Sequence, residues 1–583
     1  MANPAGLLPL AIASPMTGAV AVLLAAKVSR RLPVYVALAS LATTAGVLAM
    51  GAPRVFGGSV LVDYVGGWTP VHGAVLGIAL AADPLGLTYA LLCAAIGSVL
   101  VLFTASQHGG LGRRENGQYL CLFLLMLAAL IGAGLTGDLF DLFVWFEVAA
   151  LSSYGLAAFF LERPIALEAS FKILVLTTIA SFAVFVGTAL LYRETGALNY
   201  GQLHGALTGS LGAVTVVGLG LLVAGYATKA GMVPFHAWLP DAHTAAPGTV
   251  SALFSGLMVN LGVVAIARIC FQIAPPHTPA LLGIVTAIGV ASALFGASMA
   301  LIQDDLKRLL AYDTVSQMGI LAVGFASATP AGVAGADYHL VNHALFKSLL
   351  FLCAAAIVHS TGYSRLSQMG GLLRHRPLIA AGFGVGVLSI AGLPPLNGYA
   401  SLGLIHAGLE QRHAYGTLVL VLLAQVLTVA ALTRAAYLGF LRQRAEPHER
   451  MDPLRNGMRV GLAVLGAACI AFGSLPGLVL DHVAVPAASA LLRGHAFASA
   501  LLHGHGRIQP VRVAFTYLDP VDLALVAVTA AAGVALAAVV IRAERLPGWV
   551  ERVRAIHTGS VNDYATYATA GIVLTLVGLL VVR

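Results

Sequence analysis

Charged residues are scarce in this chain. Asp, Glu, Lys and Arg together make up only 10% of its 583 residues, whereas about 25% is usual for a soluble domain. Hydrophobic residues account for 59% of the chain, and the mean hydropathy is +0.90. This composition excludes a water-soluble globule, because too few polar side chains are available to cover its surface.

Cysteine motifs and nucleotide-binding motifs are also lacking. The five cysteines all lie inside apolar runs, and none forms a CxxC or a Cys/His ligand spacing; this argues against a disulfide framework and against an iron–sulfur cluster. No Walker A motif occurs, and GFGVG at 382–386 has no preceding strand, so we interpret it as packing glycine. We therefore expect no flavin, cluster, ATP or other cofactor, no metal, and no nucleic-acid partner.

Apolar runs of about 20 residues recur from end to end, which is the length that spans a bilayer. They predict an all-α polytopic membrane protein with about sixteen transmembrane helices. The predicted spans are 7–26, 33–51, 81–103, 118–136, 139–161, 165–192, 212–238, 247–272, 279–302, 308–327, 336–360, 377–409, 414–441, 457–481, 519–541 and 561–582. The first run has neither a basic leader nor a cleavage site, so we predict no removable signal peptide.

The basic residues predict the orientation of these spans. We call the side reached after the first helix side A and the opposite side side B. Twenty of the 32 Lys and Arg residues fall on side A, eight on side B and four inside spans. The positive-inside rule then places side A in the cytoplasm and both termini outside, in the inner (cytoplasmic) membrane of the cell. The net charge of +8 is explained by this topology.

Two predicted spans contain proline and are expected to be broken. Helix 7 ends in ATKAGMVPFHAWLP with Pro234, and helix 12 contains LSIAGLPPLNGY with Pro394 and Pro395. Proline removes a backbone donor and clashes with the preceding turn. Broken helices five spans apart suggest inverted five-helix repeats. We expect N-terminal helices in 1–117, a first repeat of helices 4–8 in 118–272, a second of helices 9–13 in 279–441, and C-terminal helices in 457–583 with an outside loop at 482–518.

Four ionisable residues lie near the middle of predicted spans: Glu147, within VWFEVAAL, and Lys172, Lys229 and Lys347. Each lysine costs about 2.5–3.5 kcal/mol at the centre of a lone helix. One interpretation is structural, with Glu147 pairing with a lysine to fix helix packing. The alternative is functional, since a Glu–Lys pair whose separation changes acts as a proton switch. Lys229, beside the break at Pro234, is then the moving member.

The eleventh helix carries His339, His343 and Lys347 at i, i+4 and i+8, along one helical face. Histidine exchanges protons near neutral pH, so this stripe predicts a proton relay. Glu168 and Lys172 are also four residues apart, and Glu168 is expected either to feed protons to Lys172 or to neutralise it.

Other polar residues lie near the ends of spans. His236, Asp241 and His243 surround WLPDAH, and we favour a role in proton uptake or capping over a metal site. Asp313 is deeper than the interfacial charges that precede it in QDDLKR. The histidines of the 482–518 loop allow a metal site, but an amphipathic outside loop is the favoured interpretation.

Several segments resemble one family of membrane proteins, in order and at matching spacing over residues 100–400. They are the text around Glu147, KAGMVPFHAWLPDAHTAAPGTVSAL at 229–253, DDLKRLLAYDTVSQMG at 304–319, NHALFKSLLFL at 342–352 and AGLPPLNGY at 391–399. The resemblance is to antiporter-like, proton-conducting subunits: the pumping subunits of respiratory complex I, the D-type components of multisubunit Na⁺/H⁺ antiporters, and the large membrane subunits of formate hydrogenlyase-type hydrogenases.

The resemblance implies a core of fourteen helices and assigns roles by position. Glu147 and Lys229 match the central pair of the family, Lys172 its sixth-helix lysine, and the eleventh-helix stripe its bridging line. Two positions depart from the pattern, because Asn260 and Leu402 stand where lysine or a carrier residue is usual. His406 and Glu410 follow Leu402 on the same helical face, and we hypothesise that they replace the missing outward carrier.

We therefore expect a membrane subunit that moves protons, with or without Na⁺ in exchange, within a larger complex driven by a peripheral redox module or by sister subunits. A non-conducting scaffold that has lost its outward path is one alternative. An enzyme that acts on a lipid or quinone through His343 and Glu147 is another, although we expect no chemistry of its own.

Overall fold

The computed structural model of the chain describes residues 4–71, 73–107, 111–209, 211–274, 278–443, 451–543 and 557–582. Nearly all of them lie in helices. The helices are α1 (Leu8–Val28), α2 (Leu32–Phe56), α3 (Pro84–Gln107), α4 (Arg113–Leu135), α5 (Leu139–Ala157), α6 (Pro164–Thr195), α7 (Tyr200–Ala206), α8 (Ala213–Lys229), α9 (Trp238–Ala245), α10 (Gly248–Leu253), α11 (Val259–Arg268), α12 (Pro279–Leu301), α13 (Leu306–Ala326), α14 (Pro330–Thr361), α15 (Leu372–His375), α16 (Pro377–Ile390), α17 (Gly398–Gln411), α18 (Tyr415–Ala436), α19 (Asn456–Ser474), α20 (Pro476–Val479), α21 (Val485–Leu492), α22 (Gly494–His503), α23 (Pro520–Arg542) and α24 (Val561–Val582).

The predicted polytopic all-α fold is confirmed in the described part of the chain, and fourteen of the sixteen predicted spans are present as unbroken helices. These helices are long and apolar enough to cross a membrane. One of them, Gly248–Ile273, consists of α10 and α11 with π turns after each. The predicted spans 212–238 and 377–409 correspond to α8 followed by α9 and to α16 followed by α17, in which α8 and α16 are shorter apolar helices of 17 and 14 residues. The repeat boundaries stay a prediction.

Protein groups bond to the backbone at both breaks, and Pro395 in the second break is exposed. After α8 the chain passes through Gly231 in the left-handed region (φ +67°) before α9 begins. The buried Trp238 ring donates from Nε1 to the Thr228 carbonyl (2.9 Å), and the Val233 amide donates to the Ser292 hydroxyl oxygen (2.9 Å). Irregular backbone at membrane depth needs such internal partners, because lipid offers none.

The second break is held in the same manner. Its left-handed residue is Gly392 (φ +71°), and the Asn342 side chain of α14 donates to the Asn397 carbonyl at 2.6 Å. Helix α14 is buried along almost its whole length and packs against α13, α16, α17 and α19. Each break therefore lies beside buried helices of the protein core.

The last two spans pack against different parts of this core. Helix α23 lies on α18, whereas α24 lies on α8 and α6 and also reaches α12. Gly571 of α24 faces Pro234 and Phe235, so this helix leans directly on the break after α8. Its position matters for the site described below.

A small antiparallel sheet and short helices cover side B, and neither was predicted. The sheet consists of β1 (Ser59–Tyr64), β2 (Ala79–Ala82) and β3 (His505–Arg507), in the order β2-β1-β3. The predicted loop at 482–518 contains α21, α22 and β3, and the chain bends by 82° between Pro476–Leu492 and Gly494–His503. Strands are hard to foresee here, because three to six residues carry little periodicity.

The histidines of this region do not assemble into a metal site. No group of three or more His, Cys, Asp or Glu residues with metal-binding geometry occurs in the described ranges. His204 on α7 is near His495; burial chiefly, and the His495 charge to a lesser extent, lower the pKa of His204 from its usual value. Its imidazole is thus favoured in the neutral form.

Candidate proton-transfer site

Lys229 is the last residue of α8, where the helix breaks. Its side chain is fully buried, and Nζ lies 4.9 Å from the centroid of the Phe146 ring on α5. No described residue accepts a hydrogen bond from this ammonium group. A desolvated cation over an aromatic face gains about 2 kcal/mol, which does not replace the hydration that burial removes.

Glu147 follows Phe146 in the sequence, and its half-buried carboxylate accepts a hydrogen bond from the Ser181 hydroxyl of α6. The structure thus brings Glu147 and Lys229 into one neighbourhood without an ion pair between them: the ion pairs of the described residues, at up to 4.0 Å, do not include this one. Glu147 and Lys229 therefore interact only at longer range, and the Phe146 ring lies beside the lysine.

Lys172 is the centre of a charged cluster near the side A ends of its neighbours. Its Nζ lies 2.7 Å from Glu168 on the same helix and 2.8 Å from Asp241 Oδ2 on α9. The sequence anticipated the first contact from the four-residue spacing. The second depends on how α9 returns after the break, which the sequence pattern does not reveal.

Two further basic side chains lie at the other carboxylate oxygen of Asp241. Arg308 of α13 lies 3.3 Å from Oδ1, and His557 Nε2 lies 3.1 Å from the same atom. We call these five residues, Glu168, Lys172, Asp241, Arg308 and His557, the Asp241 cluster. Sequence reasoning assigned Arg308 to an interfacial group and missed His557, because 316 positions separate it from Asp241.

His243 lies between this cluster and the second half of the molecule. Its ring is fully buried, stacks on Phe351 of α14 at 4.6 Å, and has no hydrogen-bond partner for either nitrogen in the described part of the chain. His236 lies in the break after α8, with its ring 4.7 Å from Phe295. Neither residue belongs to a metal-binding group among the described residues.

Lys347 on α14 is paired with Asp313 on α13, and neither side chain is exposed. Lys347 Nζ also donates to the Leu310 carbonyl at 3.1 Å. One turn away on α14, His343 is buried, and no described group bonds to either of its ring nitrogens. Asp313 is therefore a direct partner of the relay predicted from the sequence.

His339, one turn further towards side B, is fixed at both ring nitrogens. Nε2 lies 2.9 Å from Gln317 Oε1 of α13, and Nδ1 lies 3.0 Å from the Ser401 hydroxyl of α17. The Gln317 oxygen can only accept, which favours a proton on Nε2, and the Ser401 hydroxyl at Nδ1 also lies 3.1 Å from the Gly398 carbonyl. His339 thus connects the α14 stripe to the helix that follows the second break.

Comparison with known proteins identifies the family. Residues 136–428 match the family described as NADH:quinone oxidoreductase/Mrp antiporter, TM. This match spans half of the chain and includes both breaks and the residues described above. The chain belongs to this family.

Individual relatives agree with the NADH:quinone oxidoreductase/Mrp antiporter assignment. NADH-quinone oxidoreductase subunit N of Desulforudis audaxviator (strain MP104C) is 33% identical over 82% of this chain and 96% of its own length. A Na(+)/H(+) antiporter subunit of Bacillus subtilis (strain 168) is 29% identical over 79% of this chain and 92% of its own. A chain of the Mrp complex from Dietzia sp. DQ12-45-1b superposes with a TM-score of 0.78 at 25% identity, over 86% of this chain and all of that chain.

Within this NADH:quinone oxidoreductase/Mrp antiporter chain, the two departures noted in the sequence lie in buried positions. Asn260 is fully buried in α11 and donates to the Gly256 carbonyl at 2.9 Å. Leu402 belongs to an apolar cluster on α17. His406, one turn on, is buried with Nε2 2.9 Å from the Gln425 side-chain nitrogen of α18, and Glu410 is exposed at the side B end of α17.

Two further buried charged sites were missed by sequence reasoning. Arg268 Nη2 lies 2.8 Å from Asp83 Oδ1, and Gln272 bonds to both residues, all without exposed surface. Asp337 on α14 is fully buried, and neither carboxylate oxygen has a partner among the described residues. Asp337 and Arg268 carried a signal, since charges inside predicted spans are functional candidates by default.

Proposed function

We propose that this chain is a proton-translocating membrane subunit, and that protons move along a buried line of Glu147, Lys172, Lys229, His339, His343 and Lys347. The observation that carries the proposal is a set of buried basic side chains in which nitrogens held by fixed partners, as in Lys172, His339 and Lys347, alternate with nitrogens that have none. Lys229, His243 and His343 all contain side-chain nitrogen without a hydrogen bond in the described structure. Groups of this kind are costly inside a membrane protein and mark ion pathways.

The arrangement supports transfer in steps. The Asp241 cluster holds Lys172 at side A, and His243 on Phe351 lies next to the helix that carries Lys347 and His343. Histidine accepts and donates protons near neutral pH, and lysine does so when desolvated. Water bridging between such groups completes a path where direct contact is missing.

For the outward path we propose that His406 and Glu410 replace the carrier absent at Leu402. Helix α17, which carries all three residues, packs on α14, and Ser401 of α17 bonds directly to His339. His406 lies one turn beyond Ser401 and Glu410 another turn beyond that, at the surface. Replacement of His406 by Ala is expected to abolish proton flux; unaltered flux in proteoliposomes would remove His406 from the path.

We propose further that the subunit works within a hetero-oligomeric membrane complex, because the named relatives are subunits of a quinone oxidoreductase and of a Na⁺/H⁺ antiporter. We infer that it lies in the inner (cytoplasmic) membrane, with side A in the cytoplasm and both termini outside. The orientation is tested by fusion of alkaline phosphatase to the C-terminus, and an active fusion supports an outside C-terminus. An inactive C-terminal fusion, together with an active alkaline phosphatase fusion in a side A loop, would show the opposite orientation.

The central test compares two lysines. Lys229→Ala and, as a matched control, Lys27→Ala at an exposed position are expressed in the full complex and reconstituted in vesicles, and proton flux is followed with a pH-sensitive dye. Loss of flux only in Lys229→Ala supports conduction through this line. Wild-type flux in both variants supports the scaffold alternative, which Leu402 favours because it leaves the usual outward position apolar.

The exchanged ion needs a separate measurement. The same vesicles are assayed with and without a Na⁺ gradient at constant ionic strength. A Na⁺-dependent proton flux that is lost in Lys229→Ala indicates Na⁺/H⁺ exchange, whereas flux independent of Na⁺ indicates proton translocation alone.

A further inference from the structure

We propose that His557 is the residue that takes up protons on side A and passes them to the Asp241 cluster, and that helix α24 holds it in this position. The inference rests on the proposed function and extends it to the C-terminal segment, which lies outside the family match at 136–428. In this proposal helix α24 contributes to proton uptake at the Asp241 cluster.

Close packing fixes the position of α24. Gly571 lies against Pro234 and Phe235, where a Cβ atom would come within 2.7 Å of the Phe235 ring. Leu576 and Leu579 of α24 pack against Gly220 of α8. At the N-terminal end, the Gly559 amide donates to the Tyr564 hydroxyl at 3.0 Å, which folds the segment 557–560 back over its own helix. His557 is thereby directed at Asp241.

Among the basic side chains that contact Asp241, His557 is the one suited to load protons. Arg308 keeps its proton at any physiological pH. Lys172 is already held by two carboxylates, at 2.7 and 2.8 Å. Histidine is the side-chain type that exchanges protons near neutral pH, and its two nitrogens let it receive a proton on one side and release it on the other.

His557 is almost fully buried, with 5% of its side chain exposed, and its ring lies among aromatic side chains. His557 Nδ1 has no hydrogen-bond partner in the described structure, and its ring lies 5.9 Å from Tyr312 and 5.1 Å from Tyr564. The Tyr312 hydroxyl and His236 Nδ1 have no hydrogen bond of standard geometry, with Arg308 near the first and the Pro234 backbone near the second, and their rings are 6.4 Å apart. Polar groups that extend in this way from His557 to the break are where buried water would be held.

The transfer balances as proton movement alone. Water delivers a proton to the open Nδ1 of neutral His557, and the resulting imidazolium gives its Nε2 proton to Asp241 Oδ1. Turning of the ring, or a water-mediated shift of the remaining proton from Nδ1 to Nε2, restores the starting tautomer. Once Lys172 has released its own proton into the line, the Asp241 carboxyl rotates its hydroxyl towards Lys172 and protonates the amine. The groups that face the imidazole are Asp241 on α9, Lys172 on α6, Arg308 and Tyr312 on α13, Tyr564 on α24 and His236 in the break.

The test uses the complete complex in vesicles with His557→Gln and His557→Ala. Glutamine keeps a donor for Asp241 but cannot exchange a proton near neutral pH, so it separates proton uptake from structural support. We expect both variants to lower the initial proton flux by about tenfold or more, with the pH dependence between about pH 5 and 8 flattened. We expect added imidazole to restore flux in His557→Ala only.

His503→Gln, at an exposed position on side B, is the matched control and should keep wild-type flux. Wild-type flux and pH profile in His557→Gln would overturn the inference and leave His557 as a structural ligand of Asp241. If His557→Ala does not accumulate, His557→Gln decides, because it keeps the donor. Lys229→Ala in the same vesicles separates the two proposals: flux lost there but retained in His557→Gln rejects only the inference, and flux retained in both rejects conduction itself.

Discussion

Lys347 and Asp313 form an ion pair in which neither side chain has exposed surface. The other fully buried lysine of the line, Lys229, lies over the Phe146 ring and has no hydrogen-bond partner among the described residues. One lysine is therefore held by a countercharge, whereas the other is free to respond when a carboxylate such as Glu147 approaches. The proposed proton path uses both kinds of site, because a site that never releases its proton cannot pass it on.

Asp313→Asn is expected to destabilise the protein and to stop proton flux. Removal of one partner leaves the Lys347 ammonium group buried without a countercharge, which costs about 3–5 kcal/mol. The free energy of unfolding is measured by denaturant titration in detergent, and the flux in vesicles. Asp313→Asn combined with Lys347→Gln should recover most of the stability, because no charge is then buried, but should not recover flux. A double variant that transports at the wild-type rate would show that protons bypass Lys347.

Arg268→Met is expected to separate stability from transport. Asp83 loses its buried partner, so the free energy of unfolding should fall by about 3–5 kcal/mol. Flux per folded complex should remain unchanged, because Arg268 and Asp83 lie outside the proposed line. Arg193→Met, at an exposed position, should change stability by less than about 0.5 kcal/mol. A loss of flux in folded Arg268→Met would instead place this pair on the path.

The spans could be predicted from the sequence because length and hydropathy alone decide whether a helix crosses a bilayer. The breaks could be predicted because Pro234 and the Pro394–Pro395 pair remove backbone donors. Contacts between residues of the same helix could also be predicted. Glu168 and Lys172, four residues apart, form an ion pair at 2.7 Å.

Partners from distant helices could not be predicted. The contact between His557 and Asp241 joins residues 316 positions apart, and that between Arg268 and Asp83 joins residues 185 positions apart. Both depend on which helices become neighbours in the folded bundle. The orientation of Lys229 towards Phe146 instead of Glu147 is a matter of side-chain packing, and a one-dimensional pattern carries no information on it.

Asp337→Leu is expected to stabilise the protein and to impair transport. The carboxylate is buried without a partner in the described residues, so its removal should raise the free energy of unfolding by about 1–3 kcal/mol. Asp337 lies two residues before His339. A buried titratable group of this kind lowers the stability of the fold, and functional sites retain such groups. Asp337→Asn, which keeps the size and polarity, should lower flux similarly without the gain in stability. A less stable Asp337→Leu variant would mean that the carboxylate has a partner in the assembled protein.

Gly571→Ala tests whether the packing of α24 against the break after α8 is needed for transport. In a helix interior this change normally stabilises by about 1 kcal/mol. Here the new Cβ would meet Pro234 and Phe235, so α24 must shift away from the break. We therefore expect lower stability and a flux reduced towards that of His557→Ala, since His557 is carried by this helix.

Gly466→Ala in α19 is the matched control, because no atom lies within 4 Å of its added Cβ; it should be as stable as wild type or more so, with unchanged flux. Flux is measured across the same pH range as for the His557 variants, and stability by denaturant titration. If Gly571→Ala matches the control in both measurements, α24 does not control the position of His557. If it loses stability but keeps the wild-type pH profile, the helix is only an anchor. Reduced flux with a flattened profile requires that the contact between α24 and the break sets proton uptake at Asp241.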